Sequence, residues 1–166
     1  MIEYYQFILS PLVGKTVHEL KEDLKNFGQY IVQNFTYLNA KKTIKAHQEN
    51  GDECLIISAS PHDIVSPIGQ LLGFEANNII GVKTIKTDNR YTSEIIEPIS
   101  FGTGKIHCYK EWLQLKKLKE KKSYFYSDSI NDAPLLKIVE QPVCVNPDAR
   151  LKQLAQKLKW LVKTWV

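Results

Sequence analysis

Cysteine is scarce in this chain and never closely spaced: Cys54, Cys108 and Cys144 stand apart, with no C-x-x-C and no Cys/His cluster at metal spacing. That excludes a disulfide-stapled secreted scaffold and a zinc-ribbon type of site. Cys54 and Cys144 lie in apolar runs, which points to buried thiols in a reducing compartment, the cytoplasm. No apolar run approaches the ~20 residues that a membrane-crossing helix needs, and Met1-Ile2-Glu3 does not open a signal peptide. Charge of one sign is also in short supply. The net +4 comes mainly from lysines spread through helical stretches; it suits a small phosphorylated substrate but is too weak to argue for nucleic acid. Internal repeats and low-complexity linkers are absent. What is there is 166 residues, 43% hydrophobic and 24% charged, enough for one domain with a substantial core.

The first fifty residues read as helical. Tyr4, Tyr5, Ile8 and Leu9 recur at helical spacing until Ser10-Pro11 and Gly14. Thr16 with Glu19 three residues on has capping-box spacing, and Leu20, Leu24, Phe27 and Ile31 follow as an apolar stripe. A third helix carries Ala40, Ile44 and His47 and stops at Asn50-Gly51. His47 reads as a partner of that helix end and His18 as a surface residue. Strands then alternate with helices. Cys54 to Ser58 is a continuous apolar run expected of a parallel strand, ending in Ser58-Ala59-Ser60-Pro61. A helix is expected from about His62 to Leu72, stopped by Gly73. Asn78 to Thr84 is β-rich, and Asp88-Asn89-Arg90 reads as a turn joining Ile85 to a strand from Tyr91 to Ile96. Gly102-Thr103-Gly104-Lys105 precedes a helix with Ile106, Tyr109, Trp112, Leu113 and Leu115, whose far end, Lys116 to Lys122, reads as a solvated helical face. Tyr124 to Tyr126 and Val143 to Val145 are further strands, and Asn146-Pro147-Asp148 caps a last helix with Leu151, Leu154, Leu158 and Leu161 on one face. This order predicts an α/β fold, a parallel sheet wrapped by helices with a helical insertion or cap at the amino end.

Three strand ends or the loops after them carry polar groups: Ser58 with Ser60, Lys105, and Asp128 with Asp132 four residues on. Right-handed crossovers would bring them to one edge of an open sheet. A hydroxyl, an ammonium and two carboxylates suit a phosphate held beside Mg²⁺. Simpler roles stand beside these: Ser58 as a turn or cap residue, Lys105 as a solvated first-turn lysine, Asp132 as a helix-dipole partner. The Gly-Thr-Gly-Lys run is no P-loop, because Ile99 stands where that motif needs glycine and Ile106 where it needs Ser or Thr.

Ile56-Ile57-Ser58-Ala59-Ser60-Pro61, Gly104-Lys105 and Tyr126-Ser127-Asp128-Ser129-Ile130-Asn131-Asp132-Ala133-Pro134-Leu135-Leu136 resemble the second, third and fourth motifs of the haloacid dehalogenase-like hydrolases, in their phosphoserine-phosphatase-like branch. Pro67-Ile68, Leu72-Gly73, Arg90-Tyr91-Thr92 and Asn146-Pro147-Asp148 extend the resemblance over essentially the whole chain. It implies a Rossmann-like parallel sheet flanked by helices, with residues 1–45 as the remainder of a helical cap and lead-in helix and 46–166 as the α/β core. It also implies that Ser58 and Ala59 bind the phosphoryl group and that Lys105 stabilises it. Asp128 would ligate Mg²⁺ and Asp132 would support the metal shell. Ser127 stands where glycine is common in the family.

The family's first motif is a strand ending in Asp-x-Asp, whose first aspartate attacks phosphorus to form an aspartyl-phosphate. No Asp-x-Asp occurs in these residues; Asp52 and Asp63 lack both the spacing and a preceding buried strand, and Met1 aligns inside the cap that follows the first motif. The resemblance places the missing strand at the sheet's centre, between the strands ending at Ser58 and Ser127. Two expectations follow. The first is a phosphomonoesterase of this family, inactive as this shortened chain. The alternative is a non-catalytic phosphate- or metal-binding remnant, or a partner protein that accepts a strand or self-associates.

Overall fold

The structure is a computed structural model and describes residues 2–119 and 122–166. Met1 and two residues of the lysine-rich run, Glu120 and Lys121, lie outside the described residues. The chain divides into two compact units, residues 1–36 with 44–99, and residues 37–43 with 100–166.

In the first unit, α1 (Ile2–Leu9) and α2 (Val17–Asn34) precede α3 (Leu38–Glu49), whose opening residues count with the second unit. The capping box at α2 is formed as the Thr16/Glu19 spacing predicts: Thr16 N–H donates to Glu19 Oε2 at 2.6 Å and Glu19 N–H donates to Thr16 Oγ1 at 3.1 Å. His47 sits in the last turn of α3, as expected, and meets Asp52 at 2.7 Å. Strand β1 (Ile56–Pro61) runs three residues further than the apolar run suggests, then enters α4 (His62–Leu71) directly. It pairs in parallel with β2 (Ile79–Val82), Ile56 opposite Ile79. Gly81 makes this approach possible. A Cβ there would lie 2.6 Å from His62 Cα and 2.8 Å from the Ser60 carbonyl oxygen, closer than side-chain atoms tolerate. The single β-rich segment expected over 78–84 is broken at Lys83, after which β3 (Thr84–Thr87) and β4 (Arg90–Ile95) form an antiparallel hairpin. Asp88 and Asn89 take φ of 50° and 61°, the two-residue turn whose twist suits a hairpin and which Asp and Asn tolerate. Tyr5, Leu9 and Val82 form the core, with Ile8, Leu12, Ile95 and Ile99 packed on it.

The second unit begins its regular structure with α5 (Gly104–Leu115). The helix ends at Lys116, and Lys117 turns left-handed at φ 54°, so residues 116–119 do not continue the helical face the sequence suggested, and Glu120 and Lys121 lie outside the described residues. Strand β5 (Tyr124–Ser127), a 3-10 turn (Ile130–Asp132) and α6 (Ala133–Leu136) follow, then β6 (Gln141–Val145), α7 (Ala149–Leu158) and β7 (Leu161–Lys163). The three strands are parallel, in the order β5-β6-β7. Leu161 opens a strand rather than closing the last helix's stripe, because Lys159 takes φ 57° and ends α7. Asn146 holds the segment beyond β7: its backbone N–H donates to Lys163 O, its Nδ2 to Trp165 O at 3.0 Å, and its Oδ1 accepts from Trp165 N–H at 2.9 Å. Leu136, Cys144, Leu151 and Ala155 form the core, flanked by Phe125, Ile130 and Trp160. Burial of each large apolar side chain there contributes roughly 1.5–3 kcal/mol.

The parallel strands with flanking helices match the expected class. Among the described residues they form two ladders, β1-β2 and β5-β6-β7, rather than one continuous sheet. Cys144 and Cys108 are buried and in no disulfide, whereas Cys54 is only half-buried. No helix of the described residues is long and apolar enough to cross a membrane.

Candidate active site

The residues singled out in the second unit converge at the carboxyl end of β5. Ser127, the last residue of that strand, pairs with Cys144 of β6, and the chain then turns out of the sheet. The turn is built from side-chain oxygens. Ser129 Oγ accepts from Asn131 N–H and the Ser129 carbonyl accepts from Asp132 N–H at 3.0 Å. Pro134 in the first turn of α6 then continues it as a helix.

Lys105 comes to this point from α5. The inward face of that helix carries Lys105, Cys108 and Trp112, spaced three and four apart. The Lys105 Nζ lies over the Phe125 ring, 5.9 Å from its centroid. Nζ lies 2.8 Å from Asp132 Oδ1 and 2.9 Å from Oδ2, and the two side chains are 9% and 12% exposed. The burial decides against a solvated first-turn lysine. Asp132 does stand at the start of α6, but its side chain makes no capping bond; the carboxylate faces Lys105 instead. A buried ion pair survives desolvation only when its remaining lone pairs are met, and Ser127 Oγ donates to Asp132 Oδ2 at 2.7 Å.

Asp128 is exposed on the loop between these groups. Among the described residues its carboxylate has no ion-pair partner. Its backbone is anchored, because the Asp128 carbonyl accepts from Asp148 N–H at 2.8 Å. Asp148 caps α7 through Leu151 N–H, as expected, and also accepts from Ile130 N–H at 2.7 Å. Those backbone N–H groups, Leu151's first, hold the Asp148 carboxyl below the usual carboxylate range. The sequence signalled the cap; the second bond, which pins the Asp128 loop, had no signal.

Ser58 and Ala59 belong to the first unit, on β1. Ser58 Oγ accepts from Ser60 N–H at 3.1 Å and the Ala59 carbonyl accepts from Tyr5 Oη–H at 2.8 Å. A second carboxylate cluster in this unit went unread in the sequence. Asp63 follows two residues after β1, in which only Pro61 is buried. It accepts from Lys86 Nζ at 2.9 Å and Thr84 Oγ1 at 3.1 Å. Burial pushes its carboxyl up, but Lys86, with Thr84 and Tyr91, outweighs that and holds it below the usual range. Tyr91, buried against Asp63, is raised well above a normal phenol. Burial holds the neighbouring His62 below its usual value.

Among the described residues, no three His, Cys, Asp or Glu side chains gather as a ready-made metal cage. A shallow pocket of about 370 Å³ in the second unit is lined by Glu140, Gln141 and Trp160 among others. It lies at the amino end of β6, opposite the strand end that carries Asp128, and Ser127, Asp128, Asp132 and Lys105 do not line it.

Comparison with known proteins finds relatives along most of the chain. The haloacid dehalogenase-like hydrolase family matches residues 3–137. A histidinol-phosphatase of Neisseria meningitidis is 37% identical over 96% of this chain and 72% of its own length. A phosphoserine phosphatase of Mycobacterium tuberculosis is 28% identical over 93% of this chain, which spans only half of that protein. A Bordetella pertussis protein of unknown function superposes with a TM-score of 0.90 at 30% identity, covering 97% of this chain and 73% of the other. A substrate-bound phosphoserine phosphatase shares the fold at 15% identity, with a TM-score of 0.66 over 96% of this chain and 77% of its own. With four-fifths of its length matched and motif residues assembled at a parallel strand end, the chain belongs to the haloacid dehalogenase-like hydrolases and has the Rossmann-type α/β fold of their phosphoserine-phosphatase-like branch.

Proposed function

We propose that these residues form the metal- and phosphate-handling part of a Mg²⁺-dependent phosphomonoester hydrolase. The observation that carries this is the buried Lys105–Asp132–Ser127 cluster beside the exposed Asp128 carboxylate at the end of β5. Mg²⁺ is an oxygen-binding cation that keeps several waters and takes one or two carboxylates plus substrate phosphate. An exposed aspartate on an anchored loop suits that chemistry, and a full protein cage is not needed. Asp128 would hold the ion and Asp132 would orient its surroundings through Lys105 and Ser127. When bound, the metal would offset charge on the phosphoryl oxygens. Lys105, held in place by Asp132, would stabilise the same charge. Ser58 and Ala59 are assigned to phosphate binding on the motif resemblance. The substrate class is a small phosphate monoester, in line with the histidinol-phosphatase and phosphoserine phosphatase among the relatives. Three cysteines outside any disulfide favour a reducing, cytoplasmic setting.

These 166 residues carry no Asp-x-Asp, so we assign them binding without turnover. Calorimetry with Mg²⁺ should show saturable binding that Asp128→Asn weakens by at least the 10–100-fold typical of losing a supporting partner, about one to two decades. Unchanged affinity would remove Asp128 from the site. Phosphate release from phosphoserine by the 166-residue chain would overturn the assignment of binding alone.

A second reading, a strand-accepting protein, rests on the sheet edges. β1 pairs only with β2, and β5 only with β6, among the described residues. Each therefore ends a ladder with one row of backbone groups lacking a strand neighbour, the usual template for strand addition. Concentration-dependent self-association in sedimentation would favour this reading; a monomer at all concentrations would count against it.

A further inference from the structure

We infer that Ser127 is a positioning residue for both carboxylates of the proposed metal site, an inference that rests on the reading above. The hydroxyl is 2.7 Å from Asp132 Oδ2 and 3.2 Å from Ser129 N, and the residue is 8% exposed. An ionised carboxylate can only accept, so the Ser127 proton is committed to Asp132. The oxygen's lone pair is what Ser129 N–H can reach. One hydroxyl thus binds the strand end to two points of the loop that follows.

The consequences for the two aspartates differ. Asp132 is already spanned by Lys105, whose Nζ reaches Oδ1 at 2.8 Å and Oδ2 at 2.9 Å. Ser127 adds a third contact and fixes the carboxylate plane. Asp128 is held indirectly. It lies between Ser127 and Ser129, so the i to i+2 bond closes a turn around it and sets the direction of its side chain. The Asp148 N–H on the Asp128 carbonyl at 2.8 Å anchors the same residue from the other side. Without the hydroxyl, the Lys105–Asp132 pair keeps both of its own contacts, whereas the turn around Asp128 loses its closing bond. The effect therefore falls on metal affinity more than on folding.

The test compares the 166-residue chain with Ser127→Ala and Ser127→Thr, using Mg²⁺ alone as the probe in calorimetry. Ser127→Ala should weaken binding about tenfold, the scale of losing an outer partner of a metal ligand. Ser127→Thr, which keeps donor and acceptor, should stay within about twofold of the parent. A second readout needs no metal: hydrogen exchange of the Ser129 amide should quicken in Ser127→Ala and not in Ser127→Thr. Parent-like affinity and parent-like Ser129 exchange in Ser127→Ala would overturn the inference, as would a folded Ser127→Thr that binds as poorly as Ser127→Ala. Asp128→Asn separates the two levels. If it leaves Mg²⁺ binding unchanged, the metal reading fails; if it abolishes binding while Ser127→Ala changes neither readout, only the role of Ser127 fails.

Discussion

Among the described residues, each unit holds a lysine–aspartate pair braced by a hydroxyl. In the first, Lys86 meets Asp63 at 2.9 Å with Thr84 Oγ1 at 3.1 Å; in the second, Lys105 meets Asp132 at 2.8 Å with Ser127 Oγ at 2.7 Å. The local chemistry is nearly the same, but the settings are not. Lys86 and Asp63 are 30% and 19% exposed and join a hairpin strand to the start of α4, whereas Lys105 and Asp132 are 9% and 12% exposed at the carboxyl end of a parallel strand. A second carboxylate, with no ion-pair partner among the described residues, follows that strand in the loop. The trio of groups is thus a general way to neutralise a half-buried acid. What marks one copy as a candidate site is its depth, its strand-end position and the open carboxylate beside it.

The largest expected effect tests the difference in depth. Lys105→Met leaves Asp132 as an uncompensated buried charge and should cost about 3–5 kcal/mol in urea unfolding. If Lys86→Met costs as much, the contrast between the pairs collapses. Next in size is Gly81→Ala, which should cost about 1–3 kcal/mol, because the added Cβ meets His62 backbone rather than a flexible side-chain end. A neutral result would mean that β2 moves freely against the turn after β1. Lys86→Met itself should cost about 1 kcal/mol or less, since solvent screens the half-exposed pair. The smallest effect is the acid limb of stability. Asp63 and Asp148 are both held below the ordinary carboxylate value. As pH falls, the unfolded chain takes up their protons first. Their stabilisation is complete above about pH 3.9, the unfolded value, and is lost as pH drops through the lower folded values. Asp63→Asn should flatten that slope in acid titrations followed by circular dichroism; an unchanged slope would remove Asp63 as a contributor.

The spacing of Asp128 and Asp132 and the Gly-Lys start of α5 were legible because strand ends and helix faces follow short periodic rules. So were the capping box at Thr16 and the Asp88-Asn89 turn. The burial of Lys105 was not, since a first-turn lysine is solvated unless a distant acid claims it, and Asp132 lies 27 residues on. Two helix ends were missed for one physical reason. Lys117 and Lys159 adopt left-handed φ of 54° and 57°, where glycine or asparagine is the usual signal. Leu161 continues the stripe of Leu151, Leu154 and Leu158, so nothing in the pattern announced β7. The bonds of Asp148 to Ile130 and of Ser127 to Asp132 are tertiary and have no period to reveal them.

Asn146 shows what a side chain can do where the backbone cannot continue. The Asn146 N–H donates to Lys163 O, but Pro147 has no N–H, so β6 has no main-chain donor at the next residue to extend its ladder. The Asn146 carboxamide offers the same donor and acceptor as a peptide group and meets Trp165 with both, at 3.0 and 2.9 Å. It works as a surrogate peptide unit, adding one rung to the ladder beyond β7. The rung also settles the Trp165 ring 5.9 Å from that of Tyr126 on β5. Backbone tied down by hydrogen bonds is a poorer target for proteases than an open loop, so this one amide should slow cutting at the peptide bonds around Trp165.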